Sequence, residues 1–244
     1  MVPRQRSTPW HVLQLGETLS TSATLKRLAA WGAGHGTVVM AQHQAAGQGR
    51  TGRHWLSPPG ALLLSALLRP DRPQPLLSLL VGVAAAEAVG LPDLHLKWPN
   101  DLLIGDDKCG GILVEGRWAG DRPEYLIVGI GVNVAAAPAL SGTTCLQAHG
   151  SSLDAQELAG RLLDRLDHWL AEPEPTALLA AWRARCRMWG RELTVFPPGA
   201  APWTAVAEDL ADDGALVVRT ASGAQRRLQS GEVRLTGAEA RRPL

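Results

Sequence analysis

Hydrophobic and polar positions change period several times along the chain, and each change predicts an element. Residues 10–15 (WHVLQL) carry the apolar positions of a short strand. Leu25, Leu28 and Ala29 then recur at helical spacing behind Ser20, Thr21 and Ser22, whose oxygens suit an N-cap, and Gly32 and Gly34 end that helix. A β-branched run at 37–43 predicts a second strand, and the unbroken apolar stretch 62–68 predicts a buried one. Residues 46–60, rich in Gly, Arg and Pro, read as a long loop between them. A mostly apolar helix spans 76–89, stopped by Gly90 and Pro92. Short strands follow near 94–98, 102–104, 111–115 and 124–129, and helices over about 153–170 and 176–188.

After Gly190 the period shortens. Segments 192–196, 204–209, 215–220, 225–228 and 232–235 are β-like, with turn residues such as Asp212, Asp213 and Gly214 between them. Five short strands in so little chain predict a small barrel. The expected organisation is therefore α+β: a mixed sheet with helices over residues 1–187, then a small C-terminal β-barrel over 188–244.

Composition narrows the function classes. The 244 residues carry a formal charge of +1, which argues against a general binder of nucleic acid or anionic membranes. Three cysteines, Cys109, Cys145 and Cys186, are odd in number and lack a C-x-x-C pair, so neither a disulfide framework nor a cysteine zinc site is suggested. The arginines at the N-terminus have no apolar core behind them, and the longest apolar stretch is too short to span a bilayer; the expectation is a cytoplasmic protein. Of the 24 basic residues only Lys26, Lys97 and Lys108 are lysine, and Asn100 and Asn133 are the only asparagines. Two of those lysines and one asparagine fall within residues 97–108.

Four segments could carry chemistry. Gly47-Gln48-Gly49-Arg50-Thr51-Gly52-Arg53 fits G-x-G-x-x-G, yet Pro58 and Pro59 forbid the helix that a dinucleotide fold needs at this point. The loop reads either as an anion cradle, with Arg50 and Arg53 on phosphate oxygens and Trp55 over an apolar ligand face, or as a solvated surface loop. Lys97-Trp98-Pro99-Asn100-Asp101 is either a plain turn or a holder of nucleotide, with Asp101 a candidate contact for hydrated magnesium. Lys108 precedes the glycine pair Gly110-Gly111 and a buried strand, where its ammonium could offset the repulsion between a carboxylate and a phosphate by about 4 kcal/mol per close pair. Cys109 beside it reads as a lowered-pKa nucleophile or as an inert thiol without a base. Gly129-Ile130-Gly131-Val132-Asn133 is either a bulge or a close backbone approach with an asparagine to read a base edge. The seven histidines show no metal spacing.

GQGRTGRHWLS (47–57), KWPND (97–101), KCGGILVE (108–115) and GIGVN (129–133) occur in the order found in biotin protein ligases, and SGEV (230–233) closes the match. The chain resembles that family over nearly its whole length. The resemblance implies a catalytic fold of the class II aminoacyl-tRNA synthetase type, an SH3-like C-terminal barrel, ATP and biotin as substrates with Mg²⁺, and biotinyl-5′-adenylate as intermediate. The acceptor it implies is a lysine of a biotin carboxyl carrier protein. By position it implies a biotin site of Ser20, Thr21, Ser22, Gln44, Gly47, Gln48, Gly49, Arg50, Lys108, Gly111 and Gly129. The adenylate side would be Arg50, Arg53, Trp55, Asn100, Lys108 and Asn133, with Lys108 and Arg50 as catalytic groups. Adenylation needs positive charge and positioning rather than an enzyme nucleophile, in keeping with the absence of a Ser/His or Cys/His constellation.

Two positions depart from the family pattern: Ser22 stands where Asn is usual, and Gln48 where a basic residue is usual. The lost charge at 48 either loosens retention of the adenylate or is compensated by Arg53, and weaker holding is the expectation. The N-terminus leaves no room for the helix-turn-helix that some relatives carry, so no operator binding is expected. A homodimer through the central sheet would fit the family. The rival readings are a lipoate or octanoate ligase or transferase on the same fold, a non-catalytic module that binds an acyl carrier, and a nucleotide-binding regulator.

Overall fold

The computed structural model describes residues 8–171, 174–197 and 199–236. A seven-stranded mixed sheet runs through the larger part of the chain. Its strands are β1 (His11–Thr18), β2 (Thr37–Gln44), β5 (Leu62–Leu68), β6 (Leu94–Lys97), β7 (Asp101–Ile104), β8 (Asp107–Ala119) and β9 (Arg122–Val132), in the spatial order β1-β2-β5-β9-β8-β7-β6. Only β1 and β2 pair in parallel; the other neighbours are antiparallel. Helix α1 (Thr21–Ala30) lies on one face, with Leu25 and Ala29 packed on Val39, Leu67 and Ile127. Helices α2 (Leu77–Val89), α3 (Ala155–Ala171) and α4 (Pro175–Arg185) cover the other. Because α2 is wedged between the sheet and two helices, it is apolar nearly all round and ends on the left-handed Gly90.

The C-terminal strands β10 (Glu192–Phe196), β11 (Trp203–Leu210), β12 (Leu216–Thr220), β13 (Gln225–Leu228) and β14 (Glu232–Leu235) form an antiparallel sheet in the order β13-β12-β11-β10-β14. Leu193, Val195, Ala207, Leu216 and Val218 join the same apolar cluster as α2 and the large sheet. Trp98, 2% exposed, pins the two sheets together, since its indole N–H donates to Gly214 O at 3.0 Å. The Trp98–Pro99 peptide is cis. Among the described residues no helix is long and apolar enough to cross a membrane.

Two expectations change. Residues 46–60 are not all loop: β3 (Gly47–Gln48) and β4 (His54–Trp55) pair as a small ribbon around a 3₁₀ turn at Arg50–Gly52. Strands β8 and β9 are far longer than predicted, because Gly110, Gly111, Gly129 and Gly131 lie inside them and not at their ends. Glycine reads as punctuation in a sequence, but here it thins the floor of a cleft.

Candidate active site

A cleft of about 1260 Å³ opens over those glycines. In register across β8 and β9, Gly111 faces Gly131 and Leu113 faces Gly129. The Trp55 indole rests on this floor, and a Cβ at Gly131 would lie 2.5 Å from its ring. A Cβ at Gly111 would meet Lys108 Nζ at 3.3 Å and the indole at 3.4 Å. Any side chain at 131 would therefore expel the tryptophan. The Trp55 N–H is buried without a partner.

One end of the cleft is lined by hydroxyls. Ser20 caps α1, accepting from Ala23 N at 3.4 Å, and so Thr21 and Ser22 begin the helix facing the sheet. Thr21 donates from its backbone N–H (2.7 Å) and its hydroxyl (2.9 Å) to Gln44 Oε1 at the end of β2. Ser65, buried in the middle of β5, stands 2.8 Å from Thr21 Oγ1 and 2.9 Å from Ser22 Oγ. A Cβ at Gly129 would come within 2.8 Å of Ser22 Oγ, so this floor position is also restricted to glycine.

The other end is charged. Asp101 accepts from Lys108 Nζ at 2.5 Å and from Lys97 Nζ at 2.6 Å, one lysine on each oxygen. Burial alone would push the Asp101 carboxyl up; the two ammonium groups outweigh it and hold the group well below the usual carboxylate range. Lys108 Nζ is also 5.8 Å from the centre of the Trp55 ring. Asn100 is fixed by donating to Ile112 O at 2.6 Å, while its own carbonyl accepts from Ile112 N at 3.0 Å. Its side-chain oxygen accepts from Arg50 at 3.2 Å, and Arg50 donates further to Gly231 O at 3.1 Å. Arg53 reaches Glu232 at 2.5 Å. The arginines of the 3₁₀ turn and its C-cap are thus held by residues of the C-terminal segment. Asn133, 2% exposed, donates to Thr144 O at 3.0 Å and leaves its Oδ1 buried with no partner.

The residues present do not form a metal cage. Asp101 has both oxygens on lysines, and among the described residues no group of three His, Cys, Asp or Glu is placed to hold an ion. The reading of Cys109 as an activated nucleophile is overturned: burial pushes its thiol up to about 12, and the sulfur donates to Leu102 O.

Of the residues expected at the site, all but one line the cleft: Ser20, Thr21, Ser22, Gln44, Gln48, Gly49, Arg50, Arg53, Trp55, Asn100, Asp101, Lys108, Gly111, Gly129 and Asn133. Gly47 does not. It sits in the ribbon, where a Cβ would strike Trp55 O at 2.6 Å. Sequence reading missed Ser65, hidden in an apolar run, and gave Glu232 no role of its own; Lys97 and Gly131 were singled out only as members of their segments, and both line the cleft.

A glycine-floored cleft on a mixed sheet, with a hydroxyl end and a lysine–arginine end, defines the class. Residues 15–133 match the biotin/lipoate A/B protein ligase family, and residues 199–235 match the biotin protein ligase C-terminal domain. The chain is 32% identical, over 92% of its length and 95% of the relative's, to the biotin–[acetyl-CoA-carboxylase] ligase of Paracoccus denitrificans. It is similar to the biotin protein ligase of Aquifex aeolicus solved with biotin and ATP: TM-score 0.76, 29% identity, 92% of this chain and 98% of that one. It also resembles the Leishmania major enzyme solved with biotinyl-5-AMP: TM-score 0.65, 27% identity, 91% and 100% covered. The chain belongs to the biotin protein ligase family and is an enzyme of the ligase class.

Proposed function

We propose that this enzyme joins biotin and ATP into biotinyl-5′-adenylate and then passes the biotin to one lysine of a biotin carboxyl carrier protein. The observation that carries the reading is the division of one cleft into a neutral hydroxyl end and a cationic end, with Asn133, whose Oδ1 is unpartnered, in the same lining. A urea ring suits the first, and phosphates and an adenine amino group suit the second. In the first step a carboxylate oxygen of biotin attacks the α-phosphorus and the bond to pyrophosphate breaks. Lys108 and Arg50 offset the repulsion between the two anions and stabilise the charge that develops. In the second step the carrier's amine attacks the acyl carbon, AMP leaves with the bonding pair, and the amine loses a proton. Neither step requires a nucleophile from the protein.

Since the carboxylates present do not fit a metal, magnesium enters this reading only as part of the ATP substrate. The antiparallel C-terminal sheet supports an SH3-like barrel, with residues 188–244 as a second domain after a catalytic domain at 1–187. The edge strand β1, with Val12 and Leu13 at the surface, supports a homodimer through the central sheet. The near-neutral charge supports a protein without operator binding.

ATP–pyrophosphate exchange with magnesium, comparing biotin, lipoate and octanoate, tests the reading. Exchange that depends on biotin alone is expected. Exchange with lipoate or octanoate instead would keep the fold and overturn the substrate, and exchange with none would favour a binding module.

A further inference from the structure

The hydroxyl end of the cleft has a direction, and it can be worked out atom by atom. A backbone N–H only donates, so the Gln44 atom 2.7 Å from Thr21 N must be the amide oxygen, which only accepts. The Thr21 hydroxyl, 2.9 Å from the same oxygen, spends its single proton there. Ser65, 2.8 Å from Thr21 Oγ1, must then be the donor of that pair. With its own proton spent, Ser65 can only accept from Ser22 at 2.9 Å. The order therefore runs Ser22 to Ser65 to Thr21 to Gln44, and the Ser22 proton points to Ser65, out of the cleft. Thr21, Ser22 and Ser65 are 3%, 6% and 0% exposed, so bulk water does not compete for these bonds. Ser22 lines the cleft, whereas Ser65 does not.

We propose that Ser65 is a positioning residue that makes Ser22 Oγ an obligate hydrogen-bond acceptor for a ureido N–H of biotin. The inference rests on biotin being the substrate. The urea ring carries two N–H donors and one carbonyl acceptor; a free serine hydroxyl would serve either kind of group, whereas Ser22, with its proton held by Ser65, serves only a donor. Gly129 keeps the approach to that oxygen open, since a Cβ there would lie 2.8 Å from it. The relay is thus a specificity device: a ring that presents a lone pair at this point meets a second lone pair and is rejected.

The test uses biotin and its two cyclic carbamate analogues, in each of which one ring N–H is replaced by oxygen, a donor exchanged for an acceptor at nearly constant shape. Titration calorimetry on the full chain without ATP reads the affinities. Wild-type protein is expected to bind one of the two carbamates about a hundredfold more weakly than biotin. Ser65→Ala frees the Ser22 proton to donate to the ring oxygen, so the ratio should fall below about tenfold, with biotin itself weakened up to about tenfold. A merely structural role for Ser65 would weaken all three ligands together. Ser22→Ala, which removes the acceptor and leaves Ser65 in place, should narrow the ratio as well and decides the matter if Ser65→Ala does not fold. Equal binding of biotin and both carbamates by wild type, or an unchanged ratio in the folded variants, would overturn the proposal. Failure of wild type to bind biotin at all would overturn the biotin reading itself, and the assigned ligand N–H with it.

Discussion

At one end of the cleft Ser22 and Thr21 come from the first turn of α1, Gln44 from the adjoining strand and Ser65 from the strand beneath, all short or neutral side chains bonded to one another. At the other, Lys97, Lys108, Arg50 and Arg53 reach in on long stems, and their partners come from the turn after β6, the first residue of β7 and the C-terminal segment. The first end is fixed before any ligand arrives; the second consists of charges paired internally that a ligand anion can take over. This division suits an adenylating enzyme. Recognition of a neutral ring gains from preorganised hydrogen bonds, whereas a reaction between two anions needs positive charge that can follow them.

Removing a charge at the cationic end should therefore hurt chemistry far more than folding. Lys108→Ala is expected to slow biotin-dependent adenylation by about 10²–10³-fold, the range for loss of a group aimed at developing charge. The melting temperature should fall only modestly, because the Lys108 side chain is 35% exposed and Lys97 still pairs with Asp101. The same variant carries a pH signature. Asp101, held low by Lys108 and Lys97 against the effect of burial, stabilises the fold above the ordinary carboxylate range and loses that contribution only as pH falls through its lowered value. With Lys108 gone that value rises, so acid unfolding should begin at higher pH than in wild type. Unchanged adenylation would remove Lys108 from the chemistry.

At the fixed end the corresponding perturbation is steric. Gly129→Ala places a methyl 2.8 Å from Ser22 Oγ and 3.5 Å from Leu113 O, so the hydroxyl must turn away from the cleft floor. The expected result is a rise of about tenfold in KM for biotin with kcat nearly unchanged, the signature of lost uniform binding. A fall in kcat with KM intact would mean that the two ends are not separable.

The same contrast governs what the sequence makes legible. The charged end was visible because rare lysines and asparagines concentrate in residues 97–108, and the hydroxyl end in part because Ser20, Thr21 and Ser22 sit where a helix must be capped. Most elements follow from period alone, and β10, β13 and β14 fall on the expected residues. Ser65 escaped notice because one serine in LLLSALL looks like a tolerated polar residue in a buried strand, and its partners lie 43 and 44 residues away. The β3–β4 ribbon pairs only two residues on each side, too few to leave an alternation. The attachment of Arg50 and Arg53 to Gly231 and Glu232 spans 181 and 179 positions and has no local trace.

That attachment supplies the mildest test of the comparison. The Arg53–Glu232 pair is partly exposed, at 40% and 27%, and Arg234 shares the carboxylate at 2.9 Å. Solvent screening limits such a pair to about 0.2–1 kcal/mol, so Glu232→Gln should accelerate release of biotinyl-adenylate by no more than about fivefold. The effect should shrink further as salt is raised, because the charges lie near the surface. If release instead accelerates by more than tenfold and ignores salt, Glu232 belongs to the ligand-holding charges themselves, and the C-terminal segment forms part of the cationic end. A change within the smaller range leaves the segment as an outer support, with retention of the intermediate resting on Arg50, Lys108 and the tryptophan over the glycine floor.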